Sequence, residues 1–217
     1  MRYPKMTIFL GLVLVLLAWL LISGIEGKRE PAALKPPAEA PGAGAVMVIG
    51  GTRATGLEVV RLLRARGDEV AVLVRPESDG SAAEQLGARL VRGDAMNQPD
   101  IAAALASGQF RAVVSTLGAR AVKGTRPDFE GNRNAVDAAR SAGVKRFVLV
   151  TVIGAGDSLD ASPWIARRIL DTVMKEKTKA EDYLKTSGID YTISRPGGLL
   201  DKEAQGRAYL TEDTRSM

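Results

Sequence analysis

Residues 45–75 read AVMVIGGTRATGLEVVRLLRARGDEVAVLVR, and no other stretch narrows the folds open to this chain as much. Ala45 to Ile49 is a short apolar run with two valines, as expected of a strand buried on both faces. Gly50 to Gly56 form a turn, after which Leu57, Val60 and Leu63 recur at helical spacing and Gly67 ends the helix. Glu69 to Val74 is a second strand with Arg75 at its tip. Strand, glycine turn, helix and strand in this order aim the free N–H groups of the helix N-terminus across the turn, where a pyrophosphate sits well. Gly50 permits the tight turn and Gly56 lets helix and strand pack closely. Arg53 stands where such turns usually carry their middle glycine, and adds a charge able to clamp phosphate.

Arg75 sets the expected choice between nicotinamide dinucleotides. An acidic residue at the end of the second strand would accept hydrogen bonds from a ribose 2′-hydroxyl. An arginine offers a planar fork to a 2′-phosphate, and Arg53 approaches that phosphate from a second side. NADP(H) is therefore expected over NAD(H). The plainer alternative for Arg75 is a solvated strand-end charge.

Composition removes several chemistries. The chain contains no cysteine and no histidine, so thiolate metal sites, cysteine nucleophiles and Ser-His-Asp triads are excluded. Carboxylates, lysines, tyrosines and hydroxyls remain as acids and bases. The net charge of +5 is spread among acidic residues, and aromatics make up 5% of the chain. Without basic–aromatic interleaving, nucleic acid is not indicated as a partner. A basic surface beside an anionic membrane is the simpler use of the charge.

Thr7 to Ile25 (TIFLGLVLVLLAWLLISGI) carries no charge and matches the ~20 apolar residues that span a bilayer as a helix. Its length favours a retained anchor over 1–25 rather than a cleaved signal peptide. The bilayer is thus an expected partner through 7–25, and the protein a single-pass one. Basic residues flank both ends, so the topology signal is a tie; cofactor supply places the soluble domain in the cytoplasm. Residues 26–44 form a linker, extended by Pro31, Pro36, Pro37 and Pro41.

Residues 45–217 then alternate strands and helices. Further strands are expected at Arg89–Val91, Ala112–Ser115, Arg146–Thr151 and Tyr191–Ser194, with helices at Ile101–Ala106, Phe129–Ala142 and Trp164–Thr186. Asp100 and Asp128 are expected as helix caps. The pattern implies a single α/β domain, a Rossmann-like doubly wound parallel sheet, preceded by one transmembrane helix. Ligands bind such sheets at the strand carboxyl ends, where Arg75, Asp94, Ser115–Gly118, Thr151–Gly154 and Pro196–Gly198 converge.

The blocks VIGGTRATG (48–56), LVR (73–75), RGDAM (92–96), VVSTLG (113–118), DFEGNRNAVDAARSAGVKRFVLVTVIGAG (128–156) and KTKAEDYLKTSGIDYTISRPGGLL (177–200) occur in order. In these the chain resembles the NmrA-like, NAD(P)H-binding type of atypical short-chain dehydrogenase/reductase. The resemblance implies that Gly50, Thr52, Arg53, Ala54 and Thr55 wrap the pyrophosphate against Gly56, and that Arg75 meets the 2′-phosphate. It places Asp94 and Ala95 by the adenine. It implies too that Ser115, Thr116, Leu117 and Gly118 lie beside the nicotinamide ribose, and Pro196 is expected among the cofactor-binding residues. Lys177 takes the lysine position of the Tyr-x-x-x-Lys pair, and Thr151 the upstream hydroxyl position; these two are the candidate catalytic residues.

Two departures stand out. Val173 occupies the position of the family's proton-donating tyrosine, and neither Tyr183 nor Tyr191 is spaced to replace it. Relatives also continue past the Leu210–Asp213 segment with a helix and strand that close the substrate pocket, whereas this chain stops at Met217. Two functions are left open. One is an NADP(H)-dependent oxidoreductase acting at the membrane on a hydrophobic substrate such as a quinone or isoprenoid. The other is a non-catalytic nucleotide-binding accessory or sensor subunit of a larger membrane protein complex.

Overall fold

The computed structural model describes residues 32–33, 43–118, 126–199, 207–208 and 211–212. The expected anchor, residues 7–25, lies outside them. Among the described residues no helix is long and apolar enough to cross a membrane.

Two units are distinguished. In the smaller, β1 (Ala32–Ala33) pairs antiparallel with β8 (Arg207–Ala208). Ala32–Ala33 falls within the stretch expected to be a linker, so two of its residues are in fact paired.

The larger unit holds a parallel sheet of six strands: β2 (Ala45–Ile49), β3 (Val70–Val74), β4 (Arg89–Arg92), β5 (Phe110–Ser115), β6 (Arg146–Val150) and β7 (Asp190–Ser194). Their order across the sheet is β4-β3-β2-β5-β6-β7. Strand order reverses between β2 and β5, and a crevice opens at such a reversal. The helices are α1 (Ala54–Ala65), α2 (Ser81–Gln85), α3 (Gln98–Ala106), α4 (Glu130–Ser141) and α5 (Trp164–Lys185), with a 3₁₀ turn at Gly156–Ala161.

Alternation along β2 sends its side chains into two cores. Val46 and Val48 join Val70, Val72, Val60 and Ala83 under α1 and α2. Met47 and Ile49 join Ile101, Leu105, Val136, Phe147 and Leu184 under α3, α4 and α5. Burial on both faces is why β2 and β3 read as unbroken apolar runs. Edge strand β7 is exposed at every residue but Ile193.

Two expected caps are corrected. Helix α3 starts at Gln98 with Asn97 as its N-cap, so Asp100 sits inside the first turn and accepts a hydrogen bond from Asp94 N. Helix α4 has Phe129 as its N-cap, and Asp128 turns away from the helix into buried ion pairs. Helix α2 and the 3₁₀ turn add to the expected elements; both are too short for a hydrophobic period to register.

Candidate functional site

The glycine turn sits at the carboxyl end of β2. Gly50 has φ +84°, a left-handed conformation that a side chain disfavours. A Cβ on Gly56 would overlap the carbonyl oxygen of Gly50 and lie 2.6 Å from Thr116 Oγ1. Helix α1 therefore starts against the turn with no room for a methyl group. Gly56→Ala is expected to lower unfolding free energy by about 2–3 kcal/mol, since backbone must move to admit the group. Urea denaturation of the two proteins measures it.

Arg53 is the N-cap of α1, but no side chain caps the helix and its first turn has no acidic residue. First-turn N–H groups left this way attract an anion. Ala54 is held at φ +46°, which costs an alanine roughly 1 kcal/mol and concentrates strain at the turn. Thr52 is half-buried and Arg53 is exposed. Arg75 is also exposed, with its guanidinium 3.4 Å from the Glu77 carboxylate. Beside it, Arg92 donates to the Arg75 and Ser78 carbonyls.

Across the crevice, Thr116 locks the end of β5 to the turn. Its N–H donates to Ile49 O at 2.9 Å, and its hydroxyl lies 3.2 Å from both Ile49 O and Gly50 O. Ser115 is fully buried and donates its hydroxyl to Asn132 Oδ1 at 2.6 Å. Both hydroxyls shape the crevice wall, and Ser115 Oγ also lies 3.5 Å from Leu117 N as an acceptor. Asp94 Oδ1 accepts from Met96 N, and the carbonyl of buried Ala95 accepts from Asn134.

A cleft of about 260 Å³ opens here, lined by Thr55, Thr116, Gly118, Thr151, Lys177 and Pro196 among others. A larger hollow of about 370 Å³ lies at the backs of α3 and α4. It has an aspartate and no cationic lining, which suits no phosphate, so size does not locate the site.

Lys177 is the residue that structure changes most. A run of Lys-Glu-Lys-Thr-Lys reads as a solvated helix face, yet Lys177 is only 8% exposed. Its Nζ donates to Leu117 O at 2.9 Å and lies 3.4 Å from Asp128 Oδ1. The other Asp128 oxygen is 3.0 Å from the Arg126 guanidinium. Burial pushes the Lys177 amine below its ordinary range, and the Asp128 carboxylate partly restores it. An ammonium has three N–H donors, so one is left for the cleft.

Thr151 lines the same cleft, but its hydroxyl donates to Glu181 Oε1 at 2.7 Å. Glu181 is fully buried and belongs to none of the expected site positions; its one signal in the sequence is the four-residue spacing from Lys177, which puts both on one face of α5. Arg195 answers it, with Nη2 2.6 Å from Glu181 Oε2 and Nη1 2.5 Å from Asp157. The hydrogen bond from Arg195 holds the Asp157 carboxyl below its usual range. Tyr183 donates to Asp137 at 2.7 Å, outside the cleft lining, and Tyr191 is exposed on the edge strand. Neither replaces the tyrosine missing at Val173.

Residues 50–217 match the NAD(P)H-binding family. This chain belongs to that family. The NAD(P)H-binding protein is 34% identical over 186 residues to an uncharacterized chloroplast protein of Arabidopsis thaliana, covering 78% of its own chain and 64% of that relative. It is 28% identical over 158 residues to the photosystem II assembly factor Ycf39 of Synechocystis, covering 71% of its own chain and 45% of that relative. Its structure resembles ChuY of Escherichia coli O157:H7, an anaerobilin reductase, with a TM-score of 0.64, 32% identity, and coverage of 75% and 77% of the two chains. The chain thus spans under two thirds of the first two relatives' length. Its glycine cradle, which a Cβ would fill, and its uncapped helix N-terminus fit the family's dinucleotide.

Proposed function

We propose that this protein is a membrane-anchored, NADPH-dependent reductase of a hydrophobic substrate such as a quinone or isoprenoid. The observation that carries it is the buried ammonium of Lys177 on the cleft wall, between Leu117 O and Asp128. NADPH supplies the hydride when bound. Gly50, Thr52, Ala54, Thr55 and the first turn of α1 hold its pyrophosphate, while Arg53 and Arg75 hold the 2′-phosphate. Asp94 and Ala95 border the adenine; Ser115 to Gly118 and Pro196 shape the nicotinamide end. Lys177 gives a proton from Nζ to the oxygen of the reduced carbonyl, and water returns it. Lys177 takes the donor's role because the hydroxyls of Thr116 and Thr151 are already bonded to carbonyl and carboxylate oxygens. The resemblance to ChuY supports reduction as the reaction class, and the uncharged run 7–25 supports the anchor and a hydrophobic substrate; cofactor supply alone favours a cytoplasmic domain.

Calorimetry on the full chain in detergent tests the cofactor half, with NADPH binding more tightly than NADH. Arg75→Glu is expected to reduce that preference by about 10–100-fold, because it exchanges a charge-assisted phosphate contact for a repelling carboxylate. An unchanged NADPH-to-NADH ratio of dissociation constants removes the argument for NADP(H). NADPH oxidation across a quinone and carbonyl panel tests the reductase half.

Val173 at the tyrosine position favours a second reading, in which the domain is a nucleotide-binding accessory or sensor subunit of a membrane complex. Similarity to Ycf39 points the same way. Purification from native membranes decides: a larger complex without substrate turnover supports the subunit, and a free, active protein supports the enzyme.

A further inference from the structure

The first half of α5 turns three large apolar side chains to solvent: Trp164 is 72% exposed, Ile165 53% and Ile169 75%. Exposed Arg168 lies between them on the same face, and about two helical turns further on Lys175 is exposed beside its partner Asp171. Arg168 makes no hydrogen bond or ion pair among the described residues. We propose that this face docks on an anionic lipid surface.

Charge and side-chain type select that occupant. A tryptophan and two isoleucines around Arg168, with Lys175 further along the helix, match acyl chains below and anionic headgroups above. A protein groove would meet the apolar residues but leave Arg168 to be paired. The chain also carries the apolar run 7–25, joined to the domain through residues 26–44. Such a tether raises the local concentration of lipid, so a small face suffices.

The face has a functional consequence, which rests on the reductase reading. Helix α5 follows β6 through the 3₁₀ turn, so its first half lies at the carboxyl end of the sheet, as does the cleft. Leu159 and Leu199 are exposed at that end too, and Leu199 lines the cleft. Docking there opens the cleft towards the bilayer and lets an apolar substrate enter without crossing water.

Trp19→Phe in the full chain leaves Trp164 as the sole tryptophan. Its fluorescence is read in phosphatidylglycerol and phosphatidylcholine vesicles with and without brominated acyl chains, and flotation of each mixture is scored. The expected result is a blue shift and about twofold quenching by brominated phosphatidylglycerol, lost in the Ile165→Glu/Ile169→Glu protein, which still floats. Flotation without quenching overturns the docking face and leaves the anchor standing. Blue-shifted emission that bromine does not quench overturns it in favour of a second protein copy. Quenching in anionic vesicles with no flotation on neutral ones supports the face and defeats the anchor. No flotation on either defeats both.

Discussion

Glu181→Ala lowers the unfolding free energy by about 3 kcal/mol, because it leaves the Arg195 guanidinium without its main partner. Glu181 is fully buried, and the Arg195 side chain is 16% exposed. Breaking a buried ion pair typically costs about 3–5 kcal/mol; the low end applies here because Arg195 keeps Asp157, whose side chain is 67% exposed. The substitution also frees the Thr151 hydroxyl, which now donates to Glu181. Glu181→Gln keeps an acceptor for Thr151 and removes only the charge, so it should fall between wild type and Glu181→Ala. Urea denaturation midpoints of the three proteins check the order. A Glu181→Ala midpoint equal to wild type would show that water replaces the carboxylate at no cost, and that the pair does not hold the end of β7 on α5.

Lys177→Met reduces kcat for substrate-dependent NADPH oxidation by about 10²–10⁴-fold, the usual contribution of a positioned general acid. Methionine also leaves Asp128 with Arg126 as its remaining cation, so some stability is lost with it. Lys177→Arg separates the two effects. It restores a charge beside Asp128 but is too weak an acid to donate, so it should fold and still lose kcat. Full kcat in the arginine protein would sink the donor role. The pH profile carries an independent sign. Donation needs the ammonium, and burial lowers the Lys177 pKa from 10.5, so kcat falls on an alkaline limb centred below pH 10.5. Asp128 raises the Lys177 pKa, so Asp128→Asn should move that limb to still lower pH. A limb that stays in place would show that Asp128 does not tune the amine.

Local features are legible in the sequence itself. Valine runs mark β2 and β3, and Gly50 and Gly56 mark a turn where side chains have no room. Strand ends shift by a residue or two, as at β5, which begins at Phe110 rather than Ala112. Asp128 departs from expectation because an aspartate before a helix normally caps it, and only the fold brings Lys177, sixty residues from its Leu117 acceptor, to compete for that carboxylate.

The parallel sheet, the cofactor family and the crevice were therefore determined by the sequence alone, since each rests on short-range sterics and on the hydrophobic period of a few residues. Tertiary structure decided which ionisable groups are buried and whom they meet. Lys177 and Lys179 lie two residues apart in one charged run, yet the first is enclosed beside Asp128 and the second has a side chain 58% exposed. Only the crossing of α5 over β6 and β7 separates them, because desolvation and long-range pairing depend on neighbours that the chain supplies from elsewhere.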